Sequence, residues 1–242
     1  MDDRLNAAGV RARLDDVAAA EARLRRTVES FAERDLAARS LCEGWTRGHV
    51  LAHVALNAHS LVNLMQWART GIETPQYPGW EERDRDIDRL STRTGEEHLE
   101  ALTEAADAFA AAAGAVPPER WAFEVRGIGG PPQPAHRFLF GRLREVEIHH
   151  VDLRGGYGPH DWDPAFVRTV LAEVPERLGP GAEPAFTAEA DDAGITLRVG
   201  EGPPPVHVRG PGHALLAWLL GRSDGADLDT GGGTLPRVPA WG

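Results

Sequence analysis

In the run Arg144-Glu145-Val146-Glu147-Ile148-His149-His150-Val151-Asp152-Leu153, ionisable and apolar side chains alternate too closely for an ordinary surface helix. In helical geometry, residues four apart lie about 40° apart around the axis and one turn along it. Glu145 and His149 therefore project side by side, with Asp152 close to the same stripe and Phe138 and Arg142 on it upstream. A plain surface ion pair at this spacing is worth only a few tenths of a kcal/mol. That account fits poorly, because the shared face includes Phe138 and lies against Gly141 and Ile148. A buried, unpaired carboxylate costs several kcal/mol, and a cation opposite it removes the penalty. A carboxylate and an imidazole at i, i+4 are a common way for one helix to offer two ligands to a divalent metal. A third must come from elsewhere, and His53 is the candidate.

Rival pairings stay open on spacing alone. Glu147 and His150 share a different face at i, i+3, and His49 with His53 form an i, i+4 pair of their own. His49 could replace His53, or bond a neighbouring carboxylate behind a ligand. Asp152 suits an outer acceptor or a helix-end partner better than a fourth ligand. No spacing specifies a base for Cys42 as a nucleophile. His59, His98 and His160 read as surface residues.

The rest of the chain limits what such a site can serve. A formal charge of −11 with no offsetting basic stripe excludes a nucleic-acid partner. All 26 basic residues are Arg, so no lysine Schiff base is available. The single cysteine, Cys42, allows no internal disulfide and no cysteine-cluster metal site, which suits a reducing compartment. Met1-Asp2-Asp3-Arg4-Leu5 is not the start of a secretory signal, and no run approaches the ~20 apolar residues that cross a membrane. A cytoplasmic protein with no membrane partner is expected.

Periodicity gives the organisation. Val10, Leu14, Val17, Ala20, Leu24, Val28 and Phe31 mark a first helix over about residues 9–34. Thr46 reads as the N-cap of a second, carrying His49, His53 and Asn57 and ending at Gly71. Residues 71–94 are polar and undecided between a short helix and a loop; with Tyr77 and Trp80 they could form a lid, a plain surface loop being the default. A third stripe spans about 95–114 and a fourth about 135–154, separated by Gly127 to Pro134, which reads as a loop that no regular element tolerates. These four predict a four-helix bundle. Asp163-Pro164 starts a further helix to about Leu178, and Gly179 to Pro184 reads as a linker. Beyond it, Phe186 to Ala190, Ile195 to Val199 and Val206 to Arg209 alternate as half-buried strands, and Ala214 to Leu220 is a short apolar helix. The expected fold is α+β: a bundle domain over 1–160 and a C-terminal helix with a small α+β domain over 161–242.

Two segments resemble a known family. Ser40-Leu41-Cys42-Glu43-Gly44-Trp45-Thr46-Arg47-Gly48-His49-Val50-Leu51-Ala52-His53 is similar to the opening of helix two in the mycothiol-dependent maleylpyruvate isomerases, and Arg144 to Leu153 to their second signature. The resemblance implies a DinB-like four-helix bundle with a C-terminal α+β domain, and metal ligands at His53, Glu145 and His149. It also implies zinc with a fourth position left to water or substrate, and mycothiol or another low-molecular-weight thiol as cofactor. The Leu219-Leu220-Gly221-Arg222 run looks family-like too. Arg222 either reaches a carboxylate-bearing substrate as a catalytic residue or solvates the last helix carbonyls.

Metal coordination deprotonates a thiol without a dedicated protein base. The expected activity is addition of that thiol to an electrophilic small molecule, giving cis–trans isomerisation or, if the adduct is released, S-transfer. The partners are then the thiol and the substrate, on a monomer or homodimer. Nickel, manganese and ferrous iron suit the same ligands. Two other classes remain: a metal-dependent hydrolase active without thiol, and a non-enzymatic small-molecule-binding protein.

Overall fold

The helix Arg47–Thr70 lies at the centre of the first half of the chain, and apolar residues surround it: Val50, Leu51, Val54, Leu61, Leu64 and Met65 are all buried. The computed structural model describes residues 6–178, 185–202 and 206–238. They divide into two compact units, Met1–Gly156 and Tyr157–Gly242. The Met1–Leu5 stretch and the expected linker at 179–184 lie outside the described residues.

Four long helices build the first unit: α1 (Ala7–Glu29), α2 (Arg47–Thr70), α4 (Gly95–Gly114) and α5 (Arg137–Asp152). A short helix, α3 (Trp80–Leu90), occupies the segment left undecided by sequence. Helix α2 packs on α4 and α5, and α1 on α5, which is the expected four-helix bundle. Thr46 caps α2, its hydroxyl accepting from the His49 N–H at 3.4 Å. Gly71 closes it in the left-handed region at φ 76°. Thr94 and Glu97 cap α4 reciprocally.

Gly48 is required by contact rather than by conformation. A Cβ there would sit 2.1 Å from the Ser91 carbonyl oxygen, so only glycine lets α2 approach the turn before α4.

Two expectations need correction. The first helix ends at Glu29, not near residue 34. The Ser30 hydroxyl bonds the Thr27 carbonyl, and Asp35 accepts from the Ala32 N–H to start a separate 3₁₀ turn over Glu33–Ala37. Gly127 to Pro134 is also not purely loop: β1 (Glu124–Arg126) pairs antiparallel with β2 (Pro132–Pro134). Two prolines are tolerated because β2 has one neighbour, so their missing N–H groups interrupt no second ladder.

In the second unit, Asp163 caps α6 (Pro164–Leu178) by accepting from the Ala165 and Phe166 N–H groups. A three-stranded sheet has the order β4-β3-β5. Its central strand β3 (Phe186–Ala190) runs antiparallel to β4 (Ile195–Val199) and parallel to β5 (Val206–Gly210). Helix α7 (Gly212–Leu219) packs on α6 and β3. The α+β class is therefore the observed one. No helix among the described residues is long and apolar enough to cross a membrane.

Candidate metal centre

Helices α2 and α5 bring His53, Glu145 and His149 together. His53 Nε2 lies 2.9 Å from Glu145 Oε2, and His149 Nε2 lies 3.6 Å from the same oxygen. The two imidazoles meet edge to face at 4.6 Å between centroids. His53 is nearly buried, whereas the Glu145 side chain keeps 31 % exposure and that of His149 keeps 15 %, so the group opens on one side.

Behind His149 stands Asp152, fully buried, with Oδ2 accepting from His149 Nδ1 at 2.8 Å. The Cys42 thiol donates to the same Oδ2 at 3.2 Å. Position 42 is held there because the Leu41 N–H bonds the Asp152 carbonyl, docking the loop before α2 onto the end of α5. Arg47 reinforces the junction by donating to the Leu153 and Arg154 carbonyls at 2.6 and 2.8 Å. The Trp45 ring lies tilted beside His53 at 5.5 Å on that flank.

Charge placement follows from these contacts. Burial pulls the pKa of His53 down to about 4, with the neighbouring His149 acting the same way and the Glu145 hydrogen bond opposing. Burial would push the Glu145 carboxyl up, but hydrogen bonds with His149 and His53 outweigh it and hold the carboxyl well below its usual range. Burial would likewise lower His149, yet its bonds to Asp152, Cys42 and Glu145 raise it well above 6.5.

The donor set fits a divalent ion. Ligand atoms bound at about 2.0–2.2 Å to one tetrahedral ion sit roughly 3.3–3.6 Å apart. Glu145 and His149 already have that separation, and His53 makes a hydrogen bond to Glu145 in place of that edge. Asp152 fixes His149 so that Nε2 is the atom offered, as outer-shell carboxylates do for ligating imidazoles. Among the described residues a second group, Cys42, His149 and Asp152, also converges. It uses the His149 nitrogen already bonded to Asp152, and Asp152 has no exposed side for a further ligand.

The rival residues are placed elsewhere. His49 has Nδ1 at 2.7 Å from the Thr46 hydroxyl, within the helix cap, and Nε2 at 3.6 Å from Asp88. Glu147 and His150 face α1, bonded to Arg23 and to Thr27. His98 is not a surface residue: it is 1 % exposed, sharing the buried α4 stripe of Leu102, Ala105 and Phe109. Arg222 lies in the second unit, just past α7, with Nη1 donating to the Leu220 carbonyl at 2.7 Å.

Two neighbours of the group come from the 71–94 segment, where Tyr77 was noted only as part of a possible lid and Arg83 was not singled out. Arg83 on α3 places Nη2 at 3.1 Å from His53 Nδ1. The Tyr77 hydroxyl is buried close enough to Arg83 and Glu145 for both to act on its acidity. The available signal was the i, i+4 spacing of Arg83 and Ile87, which gives α3 a less exposed side within an acid-rich run.

The family described as "Mycothiol maleylpyruvate isomerase N-terminal domain" matches residues 17–154, a span that holds His53, Glu145 and His149 but not Arg222. The chain belongs to this family. Two solved structures are also similar to it: the crystal structure of the mycothiol-dependent maleylpyruvate isomerase, and that of a variant of it with one histidine replaced by alanine. Each is 29 % identical, covers 96 % of this chain and 97 % of its own, and superposes with a TM-score of 0.90. No curated protein matches. Membership of the maleylpyruvate isomerase family makes this chain an enzyme, and the likeness extends over both units.

Proposed function

We propose that this chain is a metal-dependent isomerase that uses a low-molecular-weight thiol, mycothiol, to interconvert the cis and trans forms of an electrophilic alkene, working in the cytoplasm as a monomer or homodimer. The convergence of His53, Glu145 and His149 on one point, in a chain of this family, is the observation that carries it.

A bound divalent ion, zinc by this reading, supplies the positive charge that keeps a thiol in its nucleophilic thiolate form at neutral pH. His53, Glu145 and His149 would hold the ion, and two neutral ligands with one carboxylate would leave it a net positive charge. Asp152 keeps the His149 proton on Nδ1, so that Nε2 is free to ligate. The Trp45 ring borders the His53 flank. Arg222 is assigned the substrate carboxylate.

The test is metal analysis by plasma mass spectrometry with assay of an activated cis-alkene, with and without mycothiol. About one zinc per chain is expected, lost in both His53→Ala and Glu145→Ala, together with turnover that requires thiol but does not consume it. Consumption of one thiol per product would replace isomerisation with S-transfer. Isomerisation that proceeds equally without thiol would overturn the role given to the thiol, and thiol-free cleavage of an ester or amide would make the chain a hydrolase. No stoichiometric metal in fresh wild type would end the metal reading.

A further inference from the structure

Asn63 donates to the Pro75 and Gln76 carbonyls at 3.2 and 3.3 Å, while the Gln76 side chain bonds both the Ser60 hydroxyl and the Ile128 N–H. These contacts staple residues 75–77 across α2 and the hairpin, and they deliver Tyr77 inward. Its hydroxyl is buried but has no well-formed hydrogen bond. Ser60 and Arg83 both lie close enough to act on the phenol, but the Ser60 proton goes to the Asn57 carbonyl and one of its lone pairs to Gln76. A buried hydroxyl without a partner costs on the order of 1–3 kcal/mol, so its retention calls for an acceptor.

Arg83 approaches from α3, its guanidinium held by the Trp80 ring at 5.6 Å and by Asp84 at 2.7 Å. Trp80 in turn rests on Gly129, where a Cβ would lie 3.1 Å from the indole. The Arg83 side chain is 17 % exposed, whereas Asp84 is 62 % exposed, so the ion pair stands at the rim and the guanidinium reaches inward to His53. That inward contact requires a lone pair on His53 Nδ1. When Nε2 serves as a ligand, the ring proton sits on Nδ1 and two donors face each other. An anionic oxygen at this point would accept from both the guanidinium and the phenol.

The geometry points to Arg83 and Tyr77 as a carboxylate-binding pair beside the metal ligands, holding one carboxylate of an anionic substrate against the reacting position. This rests on the proposed function, and it adds a second anion-recognising element separate from Arg222. It places recognition of one substrate carboxylate in the 75–90 segment of the first unit.

Maleate is a suitable probe, because with no thiol present it can bind but cannot react. Calorimetric titration of maleate into the zinc-loaded full chain is compared for wild type, Arg83→Gln, Arg83→Lys and Tyr77→Phe, with zinc content measured on each sample. Loss of one charge-assisted hydrogen bond is expected to weaken maleate binding by about tenfold or more in Arg83→Gln and by several-fold in Tyr77→Phe, with partial recovery in Arg83→Lys. Zinc content stays at the wild-type value throughout. The inference is overturned if zinc-loaded wild type does not bind maleate, or if Arg83→Gln and Tyr77→Phe bind it as wild type does. It is equally overturned if both variants lose zinc, since the residues would then support the ligands alone. Tyr77→Phe removes one oxygen and keeps the ring, so the test does not depend on a disruptive change. Failure of the metal reading itself appears separately, as wild type without stoichiometric zinc.

Discussion

Helix α5 presents polar residues on two faces with opposite outcomes. In the bundle interior, Arg142 is 1 % exposed and bonded to Glu21 of α1 and to Asn57 and the Val54 carbonyl of α2. Glu147 meets Arg23, and His150 meets Thr27, on the α1 side. Toward α2, Glu145 and His149 meet His53 and remain partly open. The residue types are nearly the same on both faces. What differs is the sign of the partners: the first face pairs each carboxylate with a guanidinium, and the second gathers three potential ligands around one point. Buried polarity alone therefore does not mark a site in this fold. Convergence of acceptors on an open side does.

The largest way to break the comparison is to remove a charge from the closed face. Arg142→Met leaves Glu21 buried without its partner, and loss of one member of a buried pair costs about 3–5 kcal/mol. Chemical denaturation of metal-free protein should show that loss, while zinc content of the folded fraction is unchanged. Adding Glu21→Leu should recover most of it, because two apolar residues satisfy each other. On the open face, Glu145→Ala in metal-free protein should change stability by less than about 1 kcal/mol, since a partly exposed ion pair contributes little. Equal losses on the two faces would abolish the distinction.

Asp152→Asn sharpens the comparison from the other side. The fully buried carboxylate touches no solvent, so by burial it belongs with the closed face, yet its contact is with His149 Nδ1. Replacement of such an outer partner typically lowers metal affinity by about 10–100-fold. Competition with a chromophoric chelator should show that loss, with helix content by circular dichroism unchanged. Unaltered zinc affinity would make Asp152 a helix-end partner only.

These contrasts also explain what could be read from sequence. The stripes of α1, α2, α4 and α5 were legible because 3.6-residue periodicity survives wherever a helix buries one side. Glu145 and His149 were legible because i, i+4 spacing fixes their geometry whatever the rest of the fold does. His53 was the candidate on spacing and the family resemblance implied the same residue, while His49 stayed open although a local signal against it existed: Thr46 stands three residues before it, where the cap engages its side chain. Arg83 shares helical spacing with Ile87, but its approach to His53, like the inward turn of Tyr77, depends on how 75–90 folds back over α2, which no periodicity specifies. The β1–β2 hairpin was missed because Pro132 and Pro134 are excluded only from strands with two neighbours.

His98 gives the smallest test, and it concerns a third kind of buried polar group, one outside any converging ligand set, on which the carboxylates of Glu97 and Glu33 act only as the smallest of the influences. Burial depresses its pKa, with Arg93 acting in the same direction and a backbone contact at Ser91 opposing. A histidine whose folded value lies below 6.5 is favoured as the neutral form. Its contribution is therefore complete above about pH 6.5 and is lost as pH falls toward the lowered folded value, because the unfolded chain takes up the proton first. The loss cannot exceed about 1.4 kcal/mol for each unit separating the two values. Denaturation midpoints of metal-free wild type and His98→Asn, measured from pH 7.5 to 5, should converge as pH falls. The amide does not titrate, so any pH dependence specific to His98 appears in that difference. A constant difference across the range would mean that the imidazole titrates alike in the folded and unfolded chain, and that the packing of α4 against the turn at Ser91 is loose enough to hydrate it.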